Sequence, residues 1–440
     1  MKPKINRRSF LNQAAMVAGG AITGSALSYR RILGANDRIS LGHIGVGRRG
    51  KELAGIAAQL KTAKNAEMTA VCDLWKVNRE AASARAQEVY GRAPRSFQYM
   101  DDLLSLKDVD AVLISTGDFQ HAPILKLVAE AGKDAYCEKP MANVLEEAKA
   151  ARDAVLQRKL IVQVGTQHRS EAYQIAARDL IRTGALGEVS KVEIVWNYHG
   201  PRWRGRSEVN QIREQDTDWR KWLLTKPYRP FDPRMYFEFR LYKDFSSGIA
   251  DQWMSHGIDL IHYFLDDHFP KAVVAHGGVF AWKDGRENPD TFQALLEYPK
   301  GFLVSYSTSF GNDSDSFTRI MGKTATLINI GGEGSPRWEW VEEKSTHEDN
   351  PNVKRAQKYV TLPGDDRVPP TFIGDGDPSH MTNWLDCLRS RKQPNATVLN
   401  GFAHSVAVIM AARAYREGKK LYWDSSTEAI RDRPVESPAG

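Results

Sequence analysis

Apolar positions along this chain fall into two rhythms. Between residues 39 and 164, short apolar runs alternate with amphipathic stretches. Residues 39–46, 67–72, 111–115, 135–137 and 160–164 read as strands, and 111–115 is apolar throughout, as a strand buried on both faces should be. A helix opens at 47–50 and carries Leu53, Ile56, Ala57 and Leu60 on one face, while 78–90, 123–131 and 144–158 also read as helices. Strands separated by helices in this way predict a parallel, doubly wound sheet.

After Gly187 the period changes. Residues 189–198, 273–280, 291–297 and 302–309 alternate apolar and polar positions, as half-exposed strands do, and 326–330 and 358–362 do so more weakly. Helices become few until 381–389 and 402–416, and 331–377 reads as loop. The pattern therefore predicts an α/β protein: an N-terminal Rossmann-type doubly wound sheet, then an α+β domain with a large, mostly antiparallel open sheet. The expected divisions are a leader and linker at 1–35, a nucleotide-binding domain at 36–165, a substrate and oligomerisation domain at 166–377, and C-terminal helices with a last strand at 378–440. Residues 200–246 hold many Arg, Tyr, Trp and Pro without a period; a connection that long is usually functional or interfacial.

Charge changes this picture at one end only. The chain has 440 residues and a formal net charge of +7, but Lys2, Lys4, Arg7, Arg8, Arg30 and Arg31 fall in a leading stretch without acids. The excess belongs to that stretch, which excludes nucleic acid as the expected partner. Arg7-Arg8-Ser9-Phe10-Leu11, followed by the small apolar run 14–27, resembles a twin-arginine export signal and predicts a periplasmic or otherwise exported protein that folds before export. The run is too short to span a bilayer, although an uncleaved N-terminal anchor is the alternative. Cys72, Cys137 and Cys387 have no metal-site spacing, so no metal and no disulfide framework is expected.

Two motifs carry chemistry. Gly45-Val46-Gly47-Arg48-Arg49-Gly50 follows a strand and opens a helix, the arrangement that lets backbone and helix N-terminus approach a pyrophosphate. Arg48 or Arg49 would add charge there. Asp73 ends the second strand, where a carboxylate accepts ribose hydroxyls and repels a 2′-phosphate, favouring NAD over NADP. Cys137-Glu138-Lys139-Pro140 ends another parallel strand, which puts Lys139 at the ligand edge of the sheet.

Taken together, the glycine turn, the acid after strand two and Glu-Lys-Pro after strand five resemble the glucose–fructose oxidoreductase/inositol dehydrogenase (Gfo/Idh/MocA) family, over residues 39 to 424. The loops 115–122 and 164–169, the run Asp218-Trp219-Arg220-Lys221-Trp222-Leu223 and the C-terminal stretch from Asn383 to Trp423 add to the likeness. The resemblance implies tightly bound NAD and assigns Thr116, His121, Glu138, Lys139 and Gln167 to the cofactor beside the glycine turn. It implies a sugar, sugar derivative or polyol substrate near His168, Arg169, Tyr198 and Trp222, and a homo-oligomer. It also implies that Lys139 and a histidine flank the reacting hydroxyl. The family usually has Asp and His at i and i+4; here Asp251 and His256 are five apart, while His256 and Asp259 keep a helical i,i+3 spacing. His256 is therefore the first candidate, Asp259 its orienting partner, and Asp251 a third.

Three functions follow. The first is an exported NAD-dependent oxidoreductase. The second is a redox-neutral glycoside hydrolase that oxidises, eliminates, hydrates and reduces back on held NAD, as some relatives of the family do. The third is a non-catalytic sugar- or NAD-binding protein, against which Lys139 and His256 argue. Export favours a cofactor that is recycled in place, because an ordinary dehydrogenase cut off from fresh NAD stops after one turnover.

Overall fold

The computed structural model describes residues 37–330, 338–343, 360–361 and 379–435. The paired arginines and the apolar run 14–27 lie outside the described residues.

Six strands form the first sheet: β1 (Ile39–Ile44), β2 (Ala66–Cys72), β3 (Arg95–Phe97), β4 (Ala111–Ile114), β5 (Asp134–Cys137) and β6 (Val162–Val164). They are parallel and run in the order β3-β2-β1-β4-β5-β6. The strand order reverses between β1 and β4, so the crevice beyond their carboxyl ends is the switch point at which such sheets bind ligands. β4 and β5 are buried at every position, which is why their sequences show no alternation. β3 and the short helix Met100–Leu104 escaped the sequence reading: β3 has three residues, none fully buried, and too short a run to show a period.

The second sheet has ten strands. Its members are β7 (Val189–Val195), then, after the short β8 (Tyr198–His199), β9 (Ala272–Gly278), β10 (Thr291–Glu297) and β11 (Leu303–Ser309). The two-residue β12 (Gly311–Asn312) pairs with β8 outside this sheet. Then follow β13 (Phe317–Gly322), β14 (Ala325–Ile330), β15 (Glu339–Glu342), β16 (Val360–Thr361), β17 (Leu421–Asp424) and β18 (Ala429–Arg431). The order is β16-β15-β14-β13-β7-β11-β10-β9-β17-β18, and β7–β11 is a parallel pair among antiparallel ones. Within the 331–377 stretch expected as loop, β15 was not anticipated, while β16 falls in the weak strand candidate 358–362.

One helix joins the two halves. Val398–Glu417 is buried along most of its circumference, as a helix enclosed by packed layers must be. It starts at Thr397, whose Oγ1 accepts from the Asn400 N–H at 3.3 Å, and stops at left-handed Gly418. It packs on helix Leu145–Arg158 of the first domain and on β9 of the second. Gly401 permits close approach: a Cβ there would lie 2.7 Å from Met141 Sδ and from Val164 Cγ2.

The 200–246 connection folds back over the first domain. Trp219, Trp222, Tyr236 and Phe245 bury themselves with Trp75 and Phe119 in an aromatic cluster separate from the main core. Trp219 and Trp222 stack at 4.7 Å, and Phe119 meets Trp222 edge-on at 5.0 Å. Cys72, Cys137 and Cys387 are free and buried, and burial raises each thiol's pKa. Among the described residues no helix is long and apolar enough to cross a membrane.

Candidate functional site

The glycine turn leaves β1 with Gly45 at φ +82°, where a Cβ would lie 2.6 Å from Thr116 Cγ2. A Cβ on Gly50 would meet the Gly45 carbonyl oxygen at 2.4 Å, so this glycine lets the helix Arg48–Gln59 sit close to the strand. Gly47 is different: its nearest neighbour would be Asn78 Nδ2 at 3.5 Å. Packing within the chain does not demand a glycine there, whereas a ligand approaching the backbone does. The helix begins at Gly47 with no side-chain cap and no acid in its first turn, leaving its leading N–H groups for an anion.

Asp73 braces this turn. Its Oδ2 accepts from the Val46 N–H and its Oδ1 from the Trp75 N–H, both at 2.9 Å. Burial pushes its pKa up to about 6. Arg79 donates to the Asp73 main-chain carbonyl at 2.7 Å.

A cavity of about 440 Å³ lies against these groups. Gly45, Gly47, Asp73 and Thr116 line one side, while Arg206, Trp222, Tyr236 and Arg240 of the long connection roof it. Thr116 Oγ1 is buried without a hydrogen-bond partner. A bare glycine backbone, an uncapped helix start, a carboxylate at the end of β2 and an unsatisfied hydroxyl fit a dinucleotide. Arg49 is drawn aside: its Nε donates to Glu138 at 2.7 Å, and Glu138 packs under Gly165, where a Cβ would lie 2.9 Å from the carboxyl carbon. Arg48 is largely exposed. His121 places Nδ1 2.8 Å from the Pro140 carbonyl and Nε2 3.3 Å from that of Thr116, so it ties the two loops beside the cavity. Burial lowers its pKa, and the neutral ring that this favours donates to one of these carbonyls, the nearer being that of Pro140.

The second group gathers around Lys139. The Lys139–Pro140 bond is cis. The Lys139 Nζ donates to the main-chain carbonyl of Gln252 at 2.5 Å and lies 3.3 Å from Gln252 Oε1. Gln252 belongs to a π-helical turn, Ala250–Met254, that leads into the helix Ser255–Leu265. A π turn accommodates one extra residue, so the five-residue step from Asp251 to His256 replaces the expected four without breaking the helix. His256 is buried with Nδ1 unpartnered; burial, then the charge of Lys139, then His168, hold its pKa well below the ordinary value. Its ring meets His168 edge-on at 5.0 Å, and His168 Nδ1 sits 2.8 Å from Glu171. Trp196 stacks on Trp253 at 4.7 Å, and Tyr198 abuts Trp253.

Lys139, His256 and His168 thus come together, with Tyr198 nearby. Other expected residues are engaged elsewhere. Asp259, expected to orient His256, pairs with Arg169 at 2.6 Å and lies 3.5 Å from His404 Nδ1. Asp259 and Arg169 are both buried, and that pair, rather than a ligand contact, occupies the Arg169 guanidinium. Asp251 accepts from the Ser247 N–H and lies 3.2 Å from the Ser246 hydroxyl, which also donates to Asp118 at 2.8 Å. Trp222 sits in the aromatic roof of the cofactor cavity. Gln167 opens the 3₁₀ turn Gln167–Ser170 beyond β6.

Three residues that matter were absent from the sequence reading. Gln252 receives Lys139. His404 and Ser405, on the long C-terminal helix, accept from the Met141 and Ala142 N–H groups at 3.4 and 3.2 Å and pin the turn that carries Lys139. Polar side chains inside an otherwise apolar helix were the available signal. Among the described residues no His, Cys, Asp or Glu cluster could hold a metal.

Two family models match: oxidoreductase family, NAD-binding Rossmann fold, over residues 39–166, and oxidoreductase family, C-terminal alpha/beta domain, over residues 224–422. A glycosyl hydrolase family 109 protein of Shewanella baltica (strain OS185) is 24% identical across 94% of both chains. Another, of Shewanella sp. (strain W3-18-1), is 27% identical across 93% of both. The WlbA dehydrogenase from Bordetella pertussis, solved with NADH and UDP-GlcNAcA, shares the fold with TM-score 0.65 at 21% identity, covering 88% of this chain and 99% of that one. Levoglucosan dehydrogenase, solved with NADH and levoglucosan, does so with TM-score 0.66 at 17% identity over 88% and 99%. With its glycine turn and Asp73 on one cavity and Lys139 just beyond β5, the chain belongs to the Gfo/Idh/MocA family of NAD-binding oxidoreductases.

Proposed function

We propose that this protein moves hydride between a sugar, sugar derivative or polyol hydroxyl and NAD that stays bound through the cycle. The observation that carries the reading is that Lys139, from the cofactor domain, reaches the π turn leading into the helix of buried His256 in the second domain, where its charge helps lower the pKa of that histidine. NAD supplies the hydride acceptor and, in the return direction, the donor. His256 offers the lone pair that takes the hydroxyl proton, and Lys139 contributes the charge that stabilises the alkoxide as it forms. Trp196, stacked on Trp253, and Tyr198 form an aromatic cluster beside His256.

A second reading, redox-neutral glycoside hydrolysis on the same held NAD, is favoured by the glycosyl hydrolase family 109 relatives, which align along nearly the whole chain. We also propose export by the twin-arginine route, supported by Arg7-Arg8 and the run that follows. Association through the outer sheet face is proposed too, supported by exposed Val274, Leu295 and Leu303 on β9, β10 and β11. The test is to incubate purified, cofactor-loaded protein with a panel of glycosides and polyols. Free sugar released without added NAD selects hydrolysis. A keto-sugar that accumulates only with an external acceptor selects net oxidation. Denaturing the pure protein and finding no nicotinamide would sink the premise of held NAD.

A further inference from the structure

The roof of the cofactor cavity carries a cation without an acid. Arg206 is half-buried and lines the cavity together with Arg48 and Arg240. Arg240 pairs with Asp118 at 3.0 Å, and Arg48 stands 3.9 Å from Glu52, largely in solvent. Arg206 has no carboxylate within ion-pair distance among the described residues. Burial, then the charges of Arg48 and Arg240, hold its guanidinium below its ordinary pKa. Arg48, Arg206 and Arg240 therefore line one cavity, where Glu208 acts on Arg206 without forming an ion pair with it, and a guanidinium left without a directly paired carboxylate suits an anion.

Arg206 is also held in place. The Gly205 and Arg206 N–H groups donate to Glu238 Oε1 at 2.8 and 3.2 Å, and Glu238 is buried and paired with Arg204. The segment that carries Arg206 continues into Trp222 and Tyr236, which are locked against Phe119 and Trp75 of the nucleotide-binding domain.

We propose that Arg206 completes the cofactor site from the roof, its guanidinium binding the diphosphate of NAD, and that the packed roof makes cofactor exchange slow. This rests on the reading of NAD as a retained cofactor. An Arg fork on a phosphate forms charge-assisted hydrogen bonds that water and other cations replace poorly, so its loss accelerates release.

The test compares the wild type with Arg206→Ala and Arg206→Lys, each checked for an unchanged thermal melt. Nicotinamide content after purification, the NADH release rate under excess NAD, and affinities of the emptied protein for ADP-ribose and adenosine are measured. Arg206→Ala is expected to release NADH about 10- to 100-fold faster and to weaken ADP-ribose but not adenosine, with Arg206→Lys between. Equal NADH release from wild type and Arg206→Ala, in a wild type that does retain cofactor, overturns the clamp. Unchanged NADH release with weakened glucuronate binding would assign Arg206 to an anionic sugar and also overturn it. A wild type that binds no NAD at all defeats the reading of retained cofactor instead.

Discussion

The Lys139 ammonium reaches out of the nucleotide-binding domain and donates to the main-chain carbonyl of Gln252 at 2.5 Å, in the π turn of the second domain. Gln252 in turn donates through Nε2 to Asp118 at 2.8 Å, back on the loop after β4. Lys139 is thus held by a link that passes from one domain to the other and returns.

Removing it tests the mechanism. Lys139→Ala is expected to lower turnover by about 10² to 10⁴ on whichever panel substrate reacts. Bound NAD should remain, since the glycine turn is untouched. Steady-state rates and nicotinamide content check both halves; full turnover would take Lys139 out of the chemistry.

The pH profile reports on His256. Its pKa lies well below 6.5 because burial and then Lys139 disfavour its charged form, so the neutral ring persists as pH falls. The acid limb of kcat/KM should therefore lie below pH 6.5. An acid limb at or above the ordinary histidine value would mean that burial and Lys139 do not govern the ring in the working enzyme.

Asp73 is expected to favour NAD over NADP. Asp73→Asn keeps an acceptor near the Val46 N–H but removes the charge that repels a 2′-phosphate. NAD affinity should fall by about 10-fold, and NADP should gain relative to NAD. Titration with both dinucleotides decides; an unchanged ratio would show that Asp73 only braces the turn.

Asp251 makes stability depend on pH. Burial, then Asp118, raise its pKa from 3.8 to about 7. The folded state therefore keeps a proton that the unfolded chain releases, and stability is lost as pH rises through that window. Asp251→Asn can still accept from the Ser247 N–H without carrying charge. Its Tm advantage over wild type should grow from pH 4 to about 7 and then level off. Parallel melts check this, and a gap that does not change with pH would show that Asp251 does not titrate in that range.

Arg169 separates structure from recognition. Arg169→Met leaves Asp259 buried with little more than His404 beside it, and breaking such a pair costs about 3–5 kcal/mol. A large fall in Tm is expected, with partial recovery in Arg169→Met/Asp259→Leu. An unchanged Tm with lost sugar binding would return Arg169 to the substrate.

What could be read from the sequence was what is local. Gly45, Gly50 and Asp73 are fixed by a turn and a strand end, and Lys139 by the end of a buried strand, so neighbouring residues announce them. Gln252, His404 and Arg206 are brought in by the packing of distant segments, and no period marks them. Asp251 and His256 were judged by α-helical spacing, whereas the chain enters that helix through a π turn. β13 was missed for a related reason: of its six residues only Ile320 is fully buried, so its alternation is faint.

The three buried thiols give the fold an indifference of its own. Cys72 ends β2 and Cys137 ends β5, both sealed in the core, and burial keeps all three in the unreactive thiol form. Neither an oxidising nor a reducing compartment finds a thiolate to act on. Thiol–disulfide exchange at Cys72, Cys137 or Cys387 would have to open the folded core first.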